Sequence, residues 1–276
     1  MSQNQLKQLP SVSEVLLEVN KDTKLHNDYI TKIITTEISQ YRTDAKAGKL
    51  KINRKKIVDS ILGEIDRLAE PSMKNIINGT GVVLHTGFGR APISKKVISN
   101  ATKKLEGYVN LELDLNSGKR GERQDHINNL LSSICGSESS LMVNNNAAAV
   151  LIALNTCAEG KEVIVSRGQE VEIGGSFRIP DVVRKSYCNL VEVGTTNRTH
   201  LKDYEKAITK NTGTILWAHT SNYVVQGFTK EVSLTELAEL AKKKRIPLVA
   251  DLGSGALADM AKMGLPPEEL GEEVVK

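Results

Sequence analysis

The chain has 276 residues, of which 25% are charged and 39% are hydrophobic, and its formal net charge at pH 7 is +4. This composition excludes a disordered chain and predicts a globular protein with one large domain or two smaller ones. Aromatic residues make up only 4%, which leaves few for base-stacking platforms. No apolar run reaches the roughly 20 residues that span a bilayer, and no signal-peptide pattern opens the chain. The three scattered cysteines predict reduced thiols, no metal site and a cytoplasmic location.

Residues 1–70 have the apolar periodicity of helices. Ser11 or Ser13 is a candidate cap before an apolar stripe at Val15, Leu16 and Val19. Residues 25–47 and 54–69 repeat apolar side chains at helical spacing. The sequence therefore predicts a small helical N-terminal domain over 1–70, followed by a separate domain over 71–276.

A basic turn joins the second and third predicted helices. Residues 46–56, KAGKLKINRKK, contain six cations and no acid. A run of this kind is typical of a solvated surface turn. It is also suited to contacting the phosphates of a nucleic acid, and composition alone leaves both interpretations open.

After the helical segment, short β-branched runs alternate with helical stretches. Strands are predicted at 162–166, 189–193, 214–220 and 246–252, and a helix is predicted at 233–245. This alternation indicates an α/β fold, with a mostly parallel sheet covered by helices on both faces. Ligands of such sheets bind beyond the carboxyl ends of the strands, near helix N-termini.

Three consecutive asparagines stand at one predicted helix entrance. Asn144, Asn145 and Asn146 follow a short predicted strand at 140–143 and precede a helix that begins near Ala147. Free N–H groups and the helix dipole make such an entrance an anion site, typically for phosphate. A simple N-cap explains one asparagine equally well.

Two further polar side chains end predicted strands. Asp251 closes an apolar run and is followed by two nearby glycines, so it caps a turn or faces a protonated ring nitrogen. Asn222 follows another strand, where its amide is placed to donate to a phenolate-like oxygen. In this order the groups resemble those of fold-type I enzymes that use pyridoxal 5′-phosphate. In those enzymes the helix holds the phosphate, the asparagine bonds the ring hydroxyl, and the aspartate keeps the ring nitrogen protonated.

Six longer stretches are more distinctive: LPSVSEVLL (9–17), INGTGVVLHTGFGRAPIS (77–94), NLELDLNSGKRGERQDHI (110–127), VNNNAAAVLIAL (143–154), SRGQEVEIGGSFRIPDV (166–182) and ADLGSGALAD (250–259). They resemble a particular family, the bacterial selenocysteine synthases, or L-seryl-tRNA(Sec) selenium transferases. The resemblance implies conversion of seryl-tRNA(Sec) to selenocysteinyl-tRNA(Sec) with selenophosphate, through an aminoacrylyl intermediate on pyridoxal 5′-phosphate. It also implies a homo-oligomer, a ring of dimers, whose N-terminal domain holds the tRNA.

The resemblance also implies roles for single residues. Arg90, Arg120 and Arg123 match arginines that line the active site, although the pattern does not decide between Arg120 and Arg123; paired guanidinium hydrogen bonds suit phosphate-like anions. Surface ion pairing is the alternative for each of the three.

Further residues of the same motifs have implied contacts with the cofactor or the tRNA. His85 and His219 are placed to stack on or bond to the cofactor or to serve as structural histidines, and Gln169 lies where relatives place a ring-stacking group. The tRNA contacts implied for the basic turn are Lys49, Lys51, Arg54, Lys55 and Lys56.

One expected residue is not found. The family forms its imine through a lysine downstream of the DLGSG aspartate, in a Ser-Gly-Asp-Lys setting, and no such motif occurs here. Lys276 stands 25 residues after Asp251 (276 − 251) among unmatched neighbours and is predicted to be a surface lysine. The sequence thus predicts an incomplete large domain and an inactive fragment.

Two alternative functions remain open. One is a related pyridoxal-phosphate lyase that acts on a small amino acid or amino sugar phosphate. The other is a non-catalytic tRNA-binding fragment. The helical domain at 1–70 disfavours the lyase, because a small free substrate needs no tRNA-holding module.

Overall fold

The computed structural model describes residues 5–174, 177–253, 255–265 and 271–275. The chain divides into two compact units, Met1–Arg90 and Ala91–Lys276.

The first unit contains three described α-helices: α1 (Val12–Glu18), α2 (Asn27–Lys46) and α3 (Arg54–Ala69). Helix α1 begins at a capping box in which the Ser11 side chain accepts from the Glu14 backbone while the Glu14 side chain accepts from the Ser11 backbone. These three helices confirm the prediction from periodicity, to within two residues for α2 and with the same bounds for α3.

The helices of the first unit pack through the apolar side chains that set their periodicity. Helical spacing places these side chains on one face of each helix, so they meet and exclude water. The buried members of this core are Val15, Ile30, Ile33, Ile34, Ile38, Ile57, Val58, Ile61 and Ile65. Among the described residues, no helix combines the length and the apolar composition that crossing a bilayer requires.

The second unit is built on a four-stranded parallel sheet. Its described strands are β1 (Glu162–Ser166), β2 (Glu172–Ile173), β3 (Phe177–Arg178), β4 (Asn189–Val193), β5 (Thr212–Ala218) and β6 (Leu248–Asp251). The main sheet has the order β4-β1-β5-β6, and β2 and β3 form a separate antiparallel pair. Since the four main strands run in one direction, their carboxyl ends share one edge of the sheet.

Helices cover both faces of this sheet. The described helices of the second unit are α4 (Lys95–Leu105), α5 (Asn128–Cys135), α6 (Asn146–Ala158), α7 (Ile179–Lys185), α8 (Leu201–Ala207), α9 (Leu234–Lys244) and α10 (Gly271–Val275). One core joins α6 and α7 to Val163, Val165 and Leu216, and the other joins α8 and α9 to Ile164 and Ile215. Adjacent strand residues thus enter opposite cores, which confirms the predicted α/β fold and explains the continuous apolar runs.

The predicted strand at 140–143 was wrong. The backbone of Met142 is bonded instead to the side chain of Gln124, whose Nε2 donates to Met142 O at 2.9 Å and whose Oε1 accepts from Met142 N at 3.1 Å. A glutamine amide offers both an N–H donor group and a carbonyl acceptor, as a neighbouring strand does, so it satisfies this backbone without strand pairing.

Two carboxyl groups meet beside the carboxyl end of β1. Glu170 follows a short 3-10 turn at Arg167–Gln169, and its carboxyl faces that of Glu192 in β4. Burial and the negative charge of Glu192 raise the pKa of Glu170 to about 7, against the opposing effect of Arg167 and Arg184. Oε1 of Glu170 is buried without a hydrogen-bond partner among the described residues.

Replacing Ile61 in α3 with alanine should destabilise the first unit. Ile61 is fully buried, so Ile61→Ala removes packed methylenes and leaves a cavity, at a cost of about 2–5 kcal/mol. Leu17→Ala is the control, because Leu17 is 86% exposed and its loss should cost less than about 0.5 kcal/mol. Urea unfolding followed by circular dichroism measures both variants, and equal losses would contradict the packing described.

Replacing Glu170 with glutamine should change how stability depends on pH. In the folded protein the pKa of Glu170 is about 7, above the reference value of 4.5. Folding therefore favours the protonated form of Glu170. The contribution of Glu170 to stability is fully present below pH 4.5 and is lost as pH rises through 7. Glutamine stays neutral at every pH, so Glu170→Gln should avoid a destabilisation of about 1 kcal/mol at pH 8, a value already reduced for solvent screening. The variant should therefore melt about 2–4 °C higher than the parent at pH 8. At pH 5 the difference should be smaller.

Melting curves at the two pH values test this, with exposed Glu239→Gln in α9 as the control. A difference between parent and Glu170→Gln that does not change with pH would refute the role of the carboxyl pair.

Candidate functional site

A side-chain hydrogen bond joins the first residue of α6 to the last residue of β6. Asn146 Nδ2 donates to Asp251 Oδ1 at 2.8 Å and to the carbonyl oxygen of Gly253 at 3.2 Å. Asp251 Oδ1 also accepts from Gly253 N at 2.9 Å, and Asp251 is only 7% exposed. Two of the predicted cofactor-binding residues, separated by 105 positions, are thus in direct contact.

The other asparagines lie at the open start of α6. Asn145 is the cap, since its Oδ1 accepts from Ala148 N at 2.9 Å, and both Asn144 and Asn145 are exposed. Among the described residues, the backbone N–H groups of Asn146 and Ala147 have no acceptor. The helix entrance therefore keeps the free donors and the positive dipole end that favour an anion.

The carboxylate of Asp251 offers the opposite charge beside that entrance. Its Oδ1 is occupied by Asn146 and Gly253, while Oδ2 has no partner among the described residues. A buried carboxylate needs a donor or a cation. The two features together suit a ligand that carries an anion at one end and a protonated nitrogen at the other, which is the chemistry of pyridoxal 5′-phosphate.

His219 directly follows the neighbouring strand β5, and Gln169, from the turn after β1, contacts the last residue of β5. His219 N donates to the backbone oxygen of Asp251 at 2.9 Å, and its ring is stacked near Trp217 with centroids 6.1 Å apart. Gln169 is buried, with Oε1 accepting from Ala218 N at 3.3 Å and Nε2 donating to Glu231 Oε1 at 2.8 Å. Both ends of the Gln169 amide are therefore used within the protein, beside the site.

Asn222 and Tyr223 connect the loop after β5 to the loop after β1. Asn222 Nδ2 donates to the carbonyl oxygen of Glu172 at 2.8 Å. The hydroxyl of Tyr223 donates to the carbonyl oxygen of Gly168, and burial raises the pKa of this tyrosine. The sequence interpretation passed over Tyr223; its position next to Asn222 after a strand was the available signal.

Two of the predicted active-site arginines converge on one carboxylate. Arg120 Nη2 lies 2.6 Å from Glu112 Oε2, and Arg123 Nε lies 2.5 Å from Glu112 Oε1. The hydrogen bond from Arg123 and the charges of both arginines lower the pKa of Glu112. Both guanidinium groups remain well exposed, so each keeps free donors.

Arg90 and His85 lie in the first unit. Arg90 is exposed, and its N–H donates to the carbonyl oxygen of His85 at 3.1 Å. Its φ angle of 66° is unusual for a residue with a side chain. The ring of His85 stacks on Phe88 with centroids 4.2 Å apart.

The basic turn contains one arginine engaged by a carboxylate and five exposed lysines. Arg54 binds Glu14 through Nε at 2.8 Å and also through Nη2, and its Nη1 donates to Leu9 O at 3.0 Å. These bonds lower the pKa of Glu14 and tie α3 to α1. The five lysines of the turn are exposed and have no ion-pair partner among the described residues: Lys46, Lys49, Lys51, Lys55 and Lys56.

Two other predictions concern metals and the last residue. No group of three or more histidine, cysteine, aspartate or glutamate side chains in the described part of the chain is placed to hold a metal. Lys276, predicted to be a surface lysine, lies outside the described residues.

Comparison with known proteins places the chain among selenium transferases. The family model of L-seryl-tRNA selenium transferase matches residues 76–276. The L-seryl-tRNA(Sec) selenium transferase of Clostridium botulinum (strain Okra / Type B1) is 45% identical over 263 residues, covering 94% of this chain and 57% of the relative. That of Carboxydothermus hydrogenoformans is 45% identical over 276 residues, covering 98% and 59%.

A solved structure agrees on the fold alone. The structure of a D-glucosaminate-6-phosphate ammonia-lyase has a TM-score of 0.50 at 19% identity, covering 60% of this chain and 45% of the other. The chain spans somewhat more than half the length of the curated relatives that it matches. Because the family model covers most of the chain, and the identity extends over nearly all of it, the chain belongs to the L-seryl-tRNA selenium transferase family.

Proposed function

We propose that this chain contributes the cofactor seat and the tRNA-holding module of a selenium transferase that acts on L-seryl-tRNA(Sec). In the net reaction, the β-hydroxyl of the seryl group is replaced by selenium. Selenophosphate supplies the selenium, and its phosphoryl group takes up the displaced oxygen and leaves as phosphate. The enzyme is further proposed to work as a cytoplasmic homo-oligomer, a ring of dimers.

The observation that carries the proposal is the contact between Asn146 and Asp251. It holds a helix entrance with free N–H donors next to a buried carboxylate with one free oxygen. A phosphate suits the first group and a protonated ring nitrogen suits the second. Names of relatives at about 45% identity supply the reaction class.

The residues of this chain fit pyridoxal 5′-phosphate. The N–H groups of Asn146 and Ala147, with the Asn144 and Asn145 side chains, would hold the phosphate, and Asp251 Oδ2 would pair with the ring nitrogen. When bound, the cofactor acts as an electron sink for bond cleavage next to the substrate amine. The protein's part is to hold the Asp251 carboxyl group in place beside that nitrogen.

The arginines are assigned to the anionic co-substrate. Arg120 and Arg123 present exposed guanidinium groups that are already held side by side by Glu112. Fixed guanidinium groups lose little entropy on binding a phosphate-like anion.

The tRNA is assigned to the basic turn. Arg54, Lys55 and Lys56 form the first turn of α3, which has no acidic residue. Positive charge is unfavourable at the positive end of a helix dipole. A phosphate placed there would relieve this repulsion and would meet the backbone N–H of Lys55, the N–H of this turn that has no acceptor among the described residues.

The cofactor assignment predicts that Asp251→Asn weakens binding of pyridoxamine 5′-phosphate. This analogue has the ring nitrogen and the phosphate but no aldehyde, so it does not react with surface lysines. Losing the carboxylate should lower affinity about 30-fold or more, because a buried ion pair loses one partner. Titration calorimetry measures the change, and Asp259→Asn is the control. Unchanged affinity would remove Asp251 from the site.

The tRNA assignment predicts that replacing Lys49, Lys51, Lys55 and Lys56 with glutamine weakens binding of seryl-tRNA(Sec). The slope of log affinity against log salt should fall by about 1 for each phosphate that the turn no longer neutralises. Arg54 is kept in this variant, because it binds Glu14 and its loss would disturb the fold.

The control carries the same charge change at exposed lysines of the second unit: Lys206, Lys242, Lys243 and Lys244. Filter binding at several salt concentrations measures both variants. Equal salt slopes for the two variants would rule out the basic turn as the tRNA contact. No retention of the tRNA by the parent chain would instead favour a lyase acting on a small substrate.

A further inference from the structure

We propose that Asn146 is a positioning residue for Asp251, and that it is not a phosphate ligand through its side chain. The inference rests on the proposed cofactor site. It changes the role given to the third asparagine, because the structure bonds that side chain to the last residue of β6.

The direction of the Asn146 amide is fixed by its neighbours. Its Nδ2 lies 2.8 Å from Asp251 Oδ1 and 3.2 Å from the carbonyl oxygen of Gly253. Both are acceptors, and a side-chain amide has two N–H donors on one nitrogen. The NH₂ group is therefore the end that faces them, and both of its hydrogens are used. None is left for a phosphate.

The same contact fixes the Asp251 side chain. Oδ1 receives two donors, Asn146 Nδ2 and Gly253 N, so rotation of the carboxylate would break two hydrogen bonds to a charged group. Oδ2 is then left as the free oxygen among the described residues. These two hydrogen bonds therefore determine that Oδ2 is the oxygen available to a ligand cation, and they fix the direction of Oδ2.

The three asparagines thus have separate tasks. Asn145 caps α6 through Ala148 N, and Asn144 is exposed at the entrance. Asn146 acts across the fold, because its partner is supplied by another strand. Replacing a cap lowers the stability of the helix start. Replacing a positioning residue affects ligand binding only while its partner, here Asp251, is present.

A double-mutant cycle on the full chain separates these roles. The variants are Asn146→Ala, Asp251→Asn and the combination, and the ligand is pyridoxamine 5′-phosphate. Asn146→Ala should lower affinity about tenfold, as expected for the loss of a hydrogen bond to a charged group. In the Asp251→Asn background it should change affinity less than about twofold, because it acts through Asp251.

Two simpler ligands divide the site into its parts. Asn146→Ala should lower affinity for pyridoxamine, which lacks the phosphate, by about the same tenfold factor. It should leave binding of inorganic phosphate unchanged. Ligand-observed NMR at millimolar concentrations suits both weak ligands. Asn145→Ala is the matched comparison, because it removes the cap and a proposed phosphate contact without touching Asp251. It should weaken binding of inorganic phosphate and leave binding of pyridoxamine unchanged.

The outcomes are distinct. Additive losses in the cycle, or weaker inorganic phosphate binding in Asn146→Ala, would overturn the inference in favour of a direct phosphate contact. The same loss pattern in Asn145→Ala would overturn it in favour of a general effect on the start of α6. If Asp251→Asn itself leaves pyridoxamine 5′-phosphate binding unchanged, the proposed function fails and the inference fails with it. Thermal melts confirm that each variant is folded.

Discussion

The hydrogen bond from Asn146 to Asp251 depends on the whole second unit being in place. Asn146 begins a helix that packs on one face of the sheet, and Asp251 ends the strand at one edge of that sheet. The two residues meet only when β1, β5 and β6 are aligned in parallel, so that the carboxyl ends of these strands lie side by side. The buried apolar cores on both faces enforce that alignment. The hydrogen bond between Asn146 and Asp251 therefore forms only after the apolar cores of the second unit have packed.

Groups of opposite charge stand next to each other at two places in the second unit. The free N–H groups of α6 stand beside the carboxylate of Asp251. Earlier in the chain, the guanidinium groups of Arg120 and Arg123 bind the carboxylate of Glu112. In each case a protein group of one sign keeps the other ordered and leaves part of it free. Binding a ligand at such a site requires little new ordering, which favours affinity.

Local signals made the fold predictable. The strand at 162–166 was predicted with the bounds observed, because burial on both faces demands a continuous apolar run. Helix α9 was predicted within one residue, since the Ser233 capping box marks its start. The site was predictable only as a set of residue types at strand ends. The partner of Asn146 lies 105 residues away, and the engagement of Arg54 by Glu14 spans 40. The strand wrongly predicted at 140–143 has the same cause, because a distant glutamine side chain replaces the ladder.

The separation between Asn146 and Asp251 has a consequence for synthesis on the ribosome. The start of α6 is made 105 residues before its partner, which at about 5–20 residues per second is a delay of about 5–20 s. During that time the Asn146 amide lacks its Asp251 partner, and the cofactor seat is incomplete. Helix α6 and strand β1 can already pack, because their contacts are close in sequence. The ability to take up a cofactor therefore arises late, when β6 joins the sheet, and a nascent chain halted before Asp251 would lack it.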